Sequence, residues 1–209
     1  MCLLIVLAQM HPDIPLIVGA NRDELLDRPA LPMTVLREVG PRILGGRDEL
    51  AGGTWLAVNE AGVVAGLTNR PTKAGRDSTK RSRGELPVAL AGHHSAAAAV
   101  EAFGSGIRAS DYNPAWLLVG DRKTVFAIDM TGDDLPVIQP LPAGMHILEN
   151  RPPGANSAKV DHVRDLLAGV DGLTEDELVR HLQAVLGDHE VPPSSLPTTT
   201  TTWITFLLR

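Results

Sequence analysis

The chain has 209 residues, of which 44% are hydrophobic and 21% are charged, a composition typical of one globular domain with its own core. Its net charge of −6 disfavours general nucleic-acid binding, and its single cysteine excludes an intramolecular disulfide framework. No segment approaches the run of about 20 apolar residues that a membrane-spanning helix requires. We therefore expect no membrane span and a cytoplasmic location.

The first two dozen residues contain the features on which the functional prediction depends. Apolar runs at 3–8 and 16–19 are separated by the turn signal His-Pro-Asp at 11–13, which predicts a hairpin. The first run begins directly after Cys2, and the second leads into the tetrad Asn-Arg-Asp-Glu at 21–24. Because hairpin strands are antiparallel, we expect these two ends of the hairpin to lie close together.

A cysteine directly behind the initiating methionine has two interpretations. Taken alone, it is best explained as a small hydrophobic residue that opens a buried strand. Removal of Met1 would instead expose the α-amine of Cys2, whose usual pKa of about 7.7–8.0 lies below the thiol value of about 8.5. That amine could take the thiol proton, so that one residue would hold both nucleophile and base.

The middle of the chain predicts a second hairpin followed by a basic segment. The glycine-rich stretch 45–53 lacks the spacing of phosphate-binding loops, so tight turns are expected there. Apolar runs at 54–59 and 63–68 predict a hairpin that ends at Asn69. Residues 70–83 contain six basic residues and one acid, with no aromatic residue between them. We interpret this segment as a solvated loop, the alternative being a mobile basic flap that attracts an anionic ligand.

The remaining elements follow from helix caps, breakers and apolar runs. The proline-rich stretch at 28–32 predicts a connector, the stretch 135–142 is broken by prolines, and Ser82-x-x-Glu85 has the spacing of a helix-capping box. Further helices are predicted at 96–102, 157–167 and from 174 to about 187, and further strands at 115–119, 124–130 and 145–148. This order is not a βαβ alternation, so we predict an α+β fold with largely antiparallel sheets. The seven histidines show no metal-ligand spacing, and no metal site is expected.

Several ordered motifs resemble those of the NRDE family, also called the transport and Golgi organisation protein 2 family. They are Met1-Cys2, Ala20 to Glu24, Gly46-Arg47-Asp48, Ala51 to Leu56, Val58-Asn59, Leu67-Thr68-Asn69 and Ser82-Arg83-Gly84. This family is similar to a branch of the N-terminal nucleophile hydrolases. The resemblance therefore implies a four-layer αββα sandwich of mainly antiparallel sheets.

The resemblance also implies an amidase or acyltransferase that acts on C–N bonds other than peptide bonds in a small-molecule substrate. Cys2 would be the nucleophile and Asp23 would hold its amine. Asn69, with Asn150, would hold the oxyanion. The expected substrate-binding residues are Arg22, Asn21 and Trp55. No cofactor is expected for this activity; the alternative is a non-catalytic carrier of haem or lipid on the same fold.

The end of the chain departs from the family pattern. Residues 191–196 are rich in proline and serine, 198–202 are a threonine run, and the Tyr-Gly-Thr-Arg-Ser-like motif of relatives is absent. Residues 199–208 are β-branched and apolar enough to form a strand, but lost native strands and an exposed sheet edge are the favoured prediction. We therefore expect one domain at 1–190, an atypical poorly ordered tail at 191–209, and a truncated member with weak or no catalysis.

Overall fold

The computed structural model describes residues 2–25, 27–155, 157–188 and 199–208. Within these ranges the chain contains a four-stranded and a seven-stranded sheet, and neighbouring strands in each are antiparallel. The predicted α+β class is therefore confirmed. None of the helices in these ranges has the length and apolar character needed to cross a membrane.

In chain order the strands are β1 (Leu3–Ala8), β2 (Leu16–Leu25), β3 (Ala30–Arg37), β4 (Ile43–Asp48), β5 (Leu56–Asn59), β6 (Val64–Asn69), β7 (Ala115–Gly120), β8 (Val125–Asp129), β9 (Val137–Leu141), β10 (Gly144–Leu148) and β11 (Thr199–Leu208). The α-helices are α1 (Glu85–Leu90), α2 (Ala96–Gly106), α3 (Ala158–Leu166) and α4 (Glu175–Gly187). The predicted hairpins β1–β2 and β5–β6 are present, and the strands predicted at 115–119 and 124–130 pair as the hairpin β7–β8.

The chain divides into two compact units, Met1–Asp27 with Ala143–Arg209, and Arg28–Pro142. The first unit contains the four-stranded sheet in the order β10-β1-β2-β11, together with α3 and α4. Every residue of β1 is buried, as expected for an apolar strand in the middle of a sheet. Side chains of β1 and β2 share a core with the apolar face of α4, including Leu178 and Leu182. The helix predicted from 174 to about 187 is α4, and a Thr174–Glu177 capping box begins it.

The last strand corrects the expectation of an exposed sheet edge. β11 pairs with β2 over ten residues, from Thr199 opposite Leu25 to Leu208 opposite Leu16. The less favoured prediction, a strand at 199–208, is therefore the one observed. β11 covers the hydrogen-bonding edge of β2. The predicted poor order at 191–198 falls outside the described residues, and the single domain at 1–190 stays a prediction.

The second unit contains the seven-stranded sheet in the order β3-β4-β5-β6-β7-β8-β9. Its two edge strands were not predicted, because both contain proline. β3 includes Pro32, next to an irregularity in its pairing with β4, and β9 includes Pro140. Proline removes a backbone donor, and an edge strand tolerates that loss because one of its sides has no partner strand in the described part of the sheet. The connector predicted at 28–32 is therefore wrong from Ala30 onward, where β3 begins, and the proline-broken stretch 135–142 contains β9.

Helices α1 and α2 cover one face of this sheet and share a core with β6 and β7. The capping box predicted at Ser82 and Glu85 is wrong. Helix α1 begins only at Glu85, behind Gly84, and its first residue makes no side-chain cap. The Glu85 carboxylate instead accepts a 2.6 Å hydrogen bond from Arg81 Nη2, which removes it from the capping position.

The glycine-rich stretch forms turns only at 49–53, because 45–48 belong to β4, and these turns fit closely against the start of α1. Gly53 has φ of +78°, and a Cβ atom there would overlap the backbone of Gly84. A Cβ on Gly84 would in turn lie 2.6 Å from the carbonyl oxygen of Gly52. The Thr54 N–H donates to Gly84 O at 2.9 Å across this contact. Two glycines therefore let two backbone segments touch.

Candidate active site

Cys2 lies at the end of the first unit's sheet, directly before β1, and is half-buried. Leu3 is opposite Asn21 of β2, so the next residues outward on these strands are Cys2 and Arg22. On the other side of β1, Leu4 is opposite Leu148, the last residue of β10. The antiparallel register therefore directs the chain after β10, with Asn150, toward Cys2. The register therefore places Cys2 next to Arg22 at one end of the sheet, and the predicted catalytic roles of Cys2 and Asn150 stay predictions.

The pleat of β1 indicates which face of the sheet carries Cys2. Leu3, Ile5 and Leu7 all pack in the core formed with the helices of this unit. Because successive strand residues point to opposite faces, Leu4 points away from those helices, and Cys2 follows Leu4 in the same alternation. The candidate nucleophile is therefore on the sheet face opposite to those helices.

Arg22 places a positive charge at the same end of the sheet. Arg22 is only 8% exposed, and its Nη2 lies 3.7 Å from a carboxylate oxygen of Glu24, two residues along β2. Residues two apart share a face of a strand, which puts this pair on the face opposite to Asn21. A buried guanidinium attracts an anionic group strongly because little water screens it. The arrangement can therefore hold a thiolate or a carboxylate.

Asn21 and Asp23, the other predicted residues of β2, are placed differently. Asn21 is buried, and its Nδ2 donates a 2.7 Å hydrogen bond to Leu186 O near the end of α4. This contact fastens β2 to the helix, a structural role that the motif did not reveal. The backbone of Asp23 is opposite Thr201 of β11, and its side chain lies outside the described part of the chain. Their predicted roles in substrate binding and catalysis stay predictions.

Sequence reasoning missed a buried acid at this end of the sheet. Glu149 follows β10, is 2% exposed, and has a carboxylate oxygen 3.9 Å from Arg151 Nε. A charged residue in a loop is normally exposed, so the sequence around Asn150 contained no sign of burial. The position directly after an apolar strand was the one available signal. Glu149 directly precedes the predicted oxyanion-binding asparagine in the chain.

Asn69 and Trp55 belong to the second unit. Asn69 is the last residue of β6, opposite Ala115 of β7, and is half-buried. Trp55 precedes β5, and its indole ring covers Gly46, where a Cβ atom would overlap it. This packing gives Trp55 a structural contact in the sheet. The prediction that Asn69 converges with Cys2 stays a prediction.

A second asparagine of the motif region, Asn59, has a structural role. It is 6% exposed, and its Nδ2 donates to Ala91 O at 2.8 Å and to His93 O at 2.6 Å. Its Oδ1 accepts the N–H groups of Ala61 at 3.0 Å and Val63 at 2.9 Å. One side chain thereby satisfies four backbone groups and joins the β5–β6 turn to the end of α1.

Asp48, at the end of β4, is a structural carboxylate too. One of its oxygens accepts the N–H groups of Leu50 and Ala51, both at 3.0 Å, and the other is 2.7 Å from Arg28 Nη2. Partial burial acts to raise the pKa of Asp48, but the Ala51 N–H, the Arg28 guanidinium and the Leu50 N–H together hold it below its usual value. The conformation of this loop therefore depends on the ionised form of Asp48.

A cavity of about 530 Å³ lies at the other end of the β1–β2 hairpin, lined by residues 11–14 and 171–175. Nδ1 of His11 accepts the Asp13 N–H at 3.2 Å, so its Nε2 carries the proton and donates to Leu173 O at 3.0 Å. These bonds connect the hairpin turn to the start of α4. The cavity is remote from Cys2 along the strands and is not part of the candidate active site.

No group of three or more histidine, cysteine or acidic side chains in the described ranges is arranged to hold a metal ion. The expectation that the protein uses no cofactor stays a prediction.

Comparisons with known proteins bear on both the family and the fold. The family described as Transport and Golgi organisation 2 matches residues 1–207. A comparison with curated proteins found no match. The family match confirms the resemblance that the ordered motifs indicate.

Three solved structures have a similar fold. The Caenorhabditis elegans ortholog of N-acylethanolamine-hydrolyzing acid amidase has a TM-score of 0.71 at 15% identity, with 100% of both chains covered. Penicillin V acylase from Agrobacterium tumefaciens has a TM-score of 0.57 at 12% identity, covering 98% of this chain and 79% of the acylase. A variant of conjugated bile acid hydrolase from Clostridium perfringens has a TM-score of 0.50 at 14% identity, covering 78% of this chain and 57% of the hydrolase. These likenesses confirm the N-terminal nucleophile hydrolase fold.

Proposed function

We propose that this chain, which belongs to the Transport and Golgi organisation 2 family, is an N-terminal nucleophile amidase or acyltransferase that uses Cys2. Its substrate would be a small molecule with an amide other than a peptide bond. The observation that supports the proposal best is the register that brings Cys2 beside buried Arg22 at the end of the first sheet. The fold shared with an amidase that hydrolyses N-acylethanolamines supports the same reaction class.

In the proposed reaction, removal of Met1 first exposes the α-amine of Cys2. The amine takes the thiol proton while Sγ attacks the substrate carbonyl carbon, and the carbonyl oxygen becomes an oxyanion. When the C–N bond breaks, the ammonium returns the proton to the leaving amine and a thioester remains on Sγ. Water then cleaves the thioester and releases the acid, or an acceptor amine takes the acyl group instead.

Other residues would position these groups. We propose the side-chain amides of Asn69 and Asn150 as oxyanion donors, a role in which the loss of one donor typically lowers the rate by about 10²–10³-fold. Asp23 would hold the α-ammonium through its carboxylate. Arg22 would orient Cys2 or bind a substrate carboxylate, since its buried guanidinium is on the same sheet face as Cys2. A cytoplasmic location is part of this proposal.

The test is the release of p-nitroaniline from a series of N-acyl p-nitroanilides, together with the intact mass of the protein. The wild-type chain is expected to gain the mass of the acyl group, and Cys2→Ala is expected to lose both acylation and turnover, by at least about 10³-fold in rate. Cys2→Ser is the matched control, because it keeps a nucleophile of similar size. Equal release from wild type and Cys2→Ala would contradict the proposal.

The carrier alternative is tested on the same preparations by titration with haem. A Soret shift that Cys2→Ala abolishes, without any acylation of the wild-type chain, would assign Cys2 to haem binding instead of catalysis.

A further inference from the structure

Residues 70–83, here called the basic segment, are a positively charged region in an otherwise acidic protein. The segment has six basic residues and one acid, a net charge of +5, whereas the other 195 residues have 13 basic and 24 acidic residues, a net charge of −11. An anion is therefore repelled by most of the chain and attracted here. Such a local field concentrates anionic ligands at one place on a surface.

The basic segment is held at its centre by one buried side chain. Asn113 Nδ2 donates to Asp77 O at 2.8 Å, and the Asp77 N–H donates to Asn113 Oδ1 at 2.8 Å. This reciprocal pair imitates the pairing of two strands. Asn113 is only 6% exposed, so the surrounding side chains and backbone restrict the orientation of its amide. The mobile-flap alternative from the sequence does not fit these contacts.

Both ends of the segment are fastened to the same neighbouring stretch. The N–H of Arg70 and the Nη1 of Arg83 both donate to Pro114 O, at 3.1 Å and 3.2 Å. The N–H of Arg81 donates to Asp111 O at 3.0 Å, and its guanidinium lies 5.0 Å from the ring centroid of Tyr112. Residues 111–114 therefore hold the segment at its start, centre and end, which lowers the entropic cost of binding a ligand.

The cations divide into those used within the protein and those that face solvent. Arg81 is paired with Glu85 at 2.6 Å. Arg70, Lys73 and Arg76 are exposed, and within the described ranges none of them forms an ion pair with a carboxylate. Arg70 lies 5.8 Å from the ring centroid of Trp116, which restricts its direction.

Lys73 and Arg76 lie at a tight turn of the backbone. The Gly75 N–H donates to Thr72 O at 3.1 Å, and Thr72 Oγ1 donates to Gly75 O at 2.7 Å. Gly75 has φ of +75°, which allows this tight bend. Lys73 lies within the turn and Arg76 directly follows it.

We propose that Arg70, Lys73 and Arg76 bind the phosphate groups of a ligand. Several separate cations suit an anion with more than one charge, because a single carboxylate would occupy only one of them. The segment begins directly after Asn69, so the rest of such a ligand would lie near the end of β6. The binding does not require Cys2 chemistry, and a failure of the proposed hydrolase would leave it intact.

The experiment measures inorganic pyrophosphate binding by isothermal titration calorimetry, with the full chain carrying Cys2→Ala as the reference. The double variant Lys73→Gln/Arg76→Gln is expected to weaken binding about tenfold or more and to reduce the dependence of binding on salt. The matched control Lys123→Gln/Arg180→Gln removes the same charge from two other exposed residues and should change the affinity by less than about twofold. The proposal would be overturned if the two double variants weakened pyrophosphate binding equally. It would also be overturned if the reference chain bound neither pyrophosphate nor anionic vesicles that contain phosphatidylglycerol.

A second arm distinguishes two sources of phosphate. Vesicles of phosphatidylglycerol in phosphatidylcholine are compared with vesicles of phosphatidylcholine alone in a flotation assay. Pyrophosphate binding without binding to the anionic vesicles assigns the site to a small phosphate-bearing ligand. Vesicle binding without pyrophosphate binding, lost in Lys73→Gln/Arg76→Gln, assigns the same three cations to lipid headgroups.

Discussion

The two compact units use their motif residues in different ways. In the second unit, Gly53 and Asn59 hold backbone segments together, one by leaving room for a contact and the other by satisfying four backbone groups. In the first unit, the strand register places Cys2 next to Arg22 at the end of the sheet, on the face opposite to the helices. A motif residue can thus serve either the fold or the chemistry, and its position in a motif does not tell which.

The largest expected effect is at Gly53. Gly53→Ala combines an unfavourable positive φ with an overlap against the Gly84 backbone, and we expect it to lower the free energy of unfolding by about 4 kcal/mol. Gly52→Ala is the matched control: its φ is +70°, but no atom lies within 4 Å of the added Cβ, so about 1 kcal/mol is expected. Urea denaturation measures both. Equal losses would mean that the contact with Gly84 is unimportant.

Two asparagines sharpen the same comparison. Asn59→Ala removes the partner of four backbone groups, two in buried and two in partly buried hydrogen bonds, and should lower the free energy of unfolding by about 3 kcal/mol. Asn69→Ala, at a half-buried strand end, should lower it by less than about 1 kcal/mol but slow acylation of Cys2 by about 10²–10³-fold. Denaturation and acylation rates are measured on both variants. An Asn59→Ala variant as stable as the wild type would contradict the structural role of Asn59. An unchanged acylation rate in Asn69→Ala would contradict the catalytic role proposed for Asn69.

A smaller effect depends on pH and on Asp48. Because the pKa of this carboxyl is lowered in the folded chain, its ionised form stabilises the fold above the unfolded value of about 3.9, and the benefit is lost as the pH falls through the lower folded value. Asp48→Asn should therefore lower the free energy of unfolding by about 1 kcal/mol at pH 7. Below the folded pKa of Asp48, where the wild-type carboxyl has lost its charge, this difference in stability should disappear. Exposed Asp133→Asn is the control. A stability difference that is constant from pH 7 to pH 3 would contradict this explanation.

Much of the fold follows from the sequence because hairpins leave local signals. The runs around residues 11–13 and 60–62, and the capping residues Ser157 and Thr174, all lie where the structure has turns and helix starts. The edge strands were missed because a proline indicates a break unless the sheet's edge is already known. The tail was misjudged because pairing with β2 is a contact between residues more than 170 positions apart.

The candidate site was less predictable than the fold. Cys2 could be proposed from its neighbours in sequence, and Arg22 from the hairpin geometry. The helix anchor at Asn21 and the burial of Glu149 depend on α4 and on β10, which no local pattern connects to the first strand. The exposed fraction of a charged residue is set by distant packing, so a sequence motif contains little information about it.

The most direct measurement of the central claim separates the thiol of Cys2 from its amine. Two forms of the chain are compared by intact mass and p-nitroaniline release: one that begins at Cys2 after Met1 is removed, and one with a short uncleaved extension before Met1. Both have the same thiol, but only the first has the free α-amine. We predict that the first form is acylated and turns over, and that the extended form does so at least about 10²-fold more slowly. Equal acylation and turnover in the two forms would contradict the assignment of Cys2 as an N-terminal nucleophile.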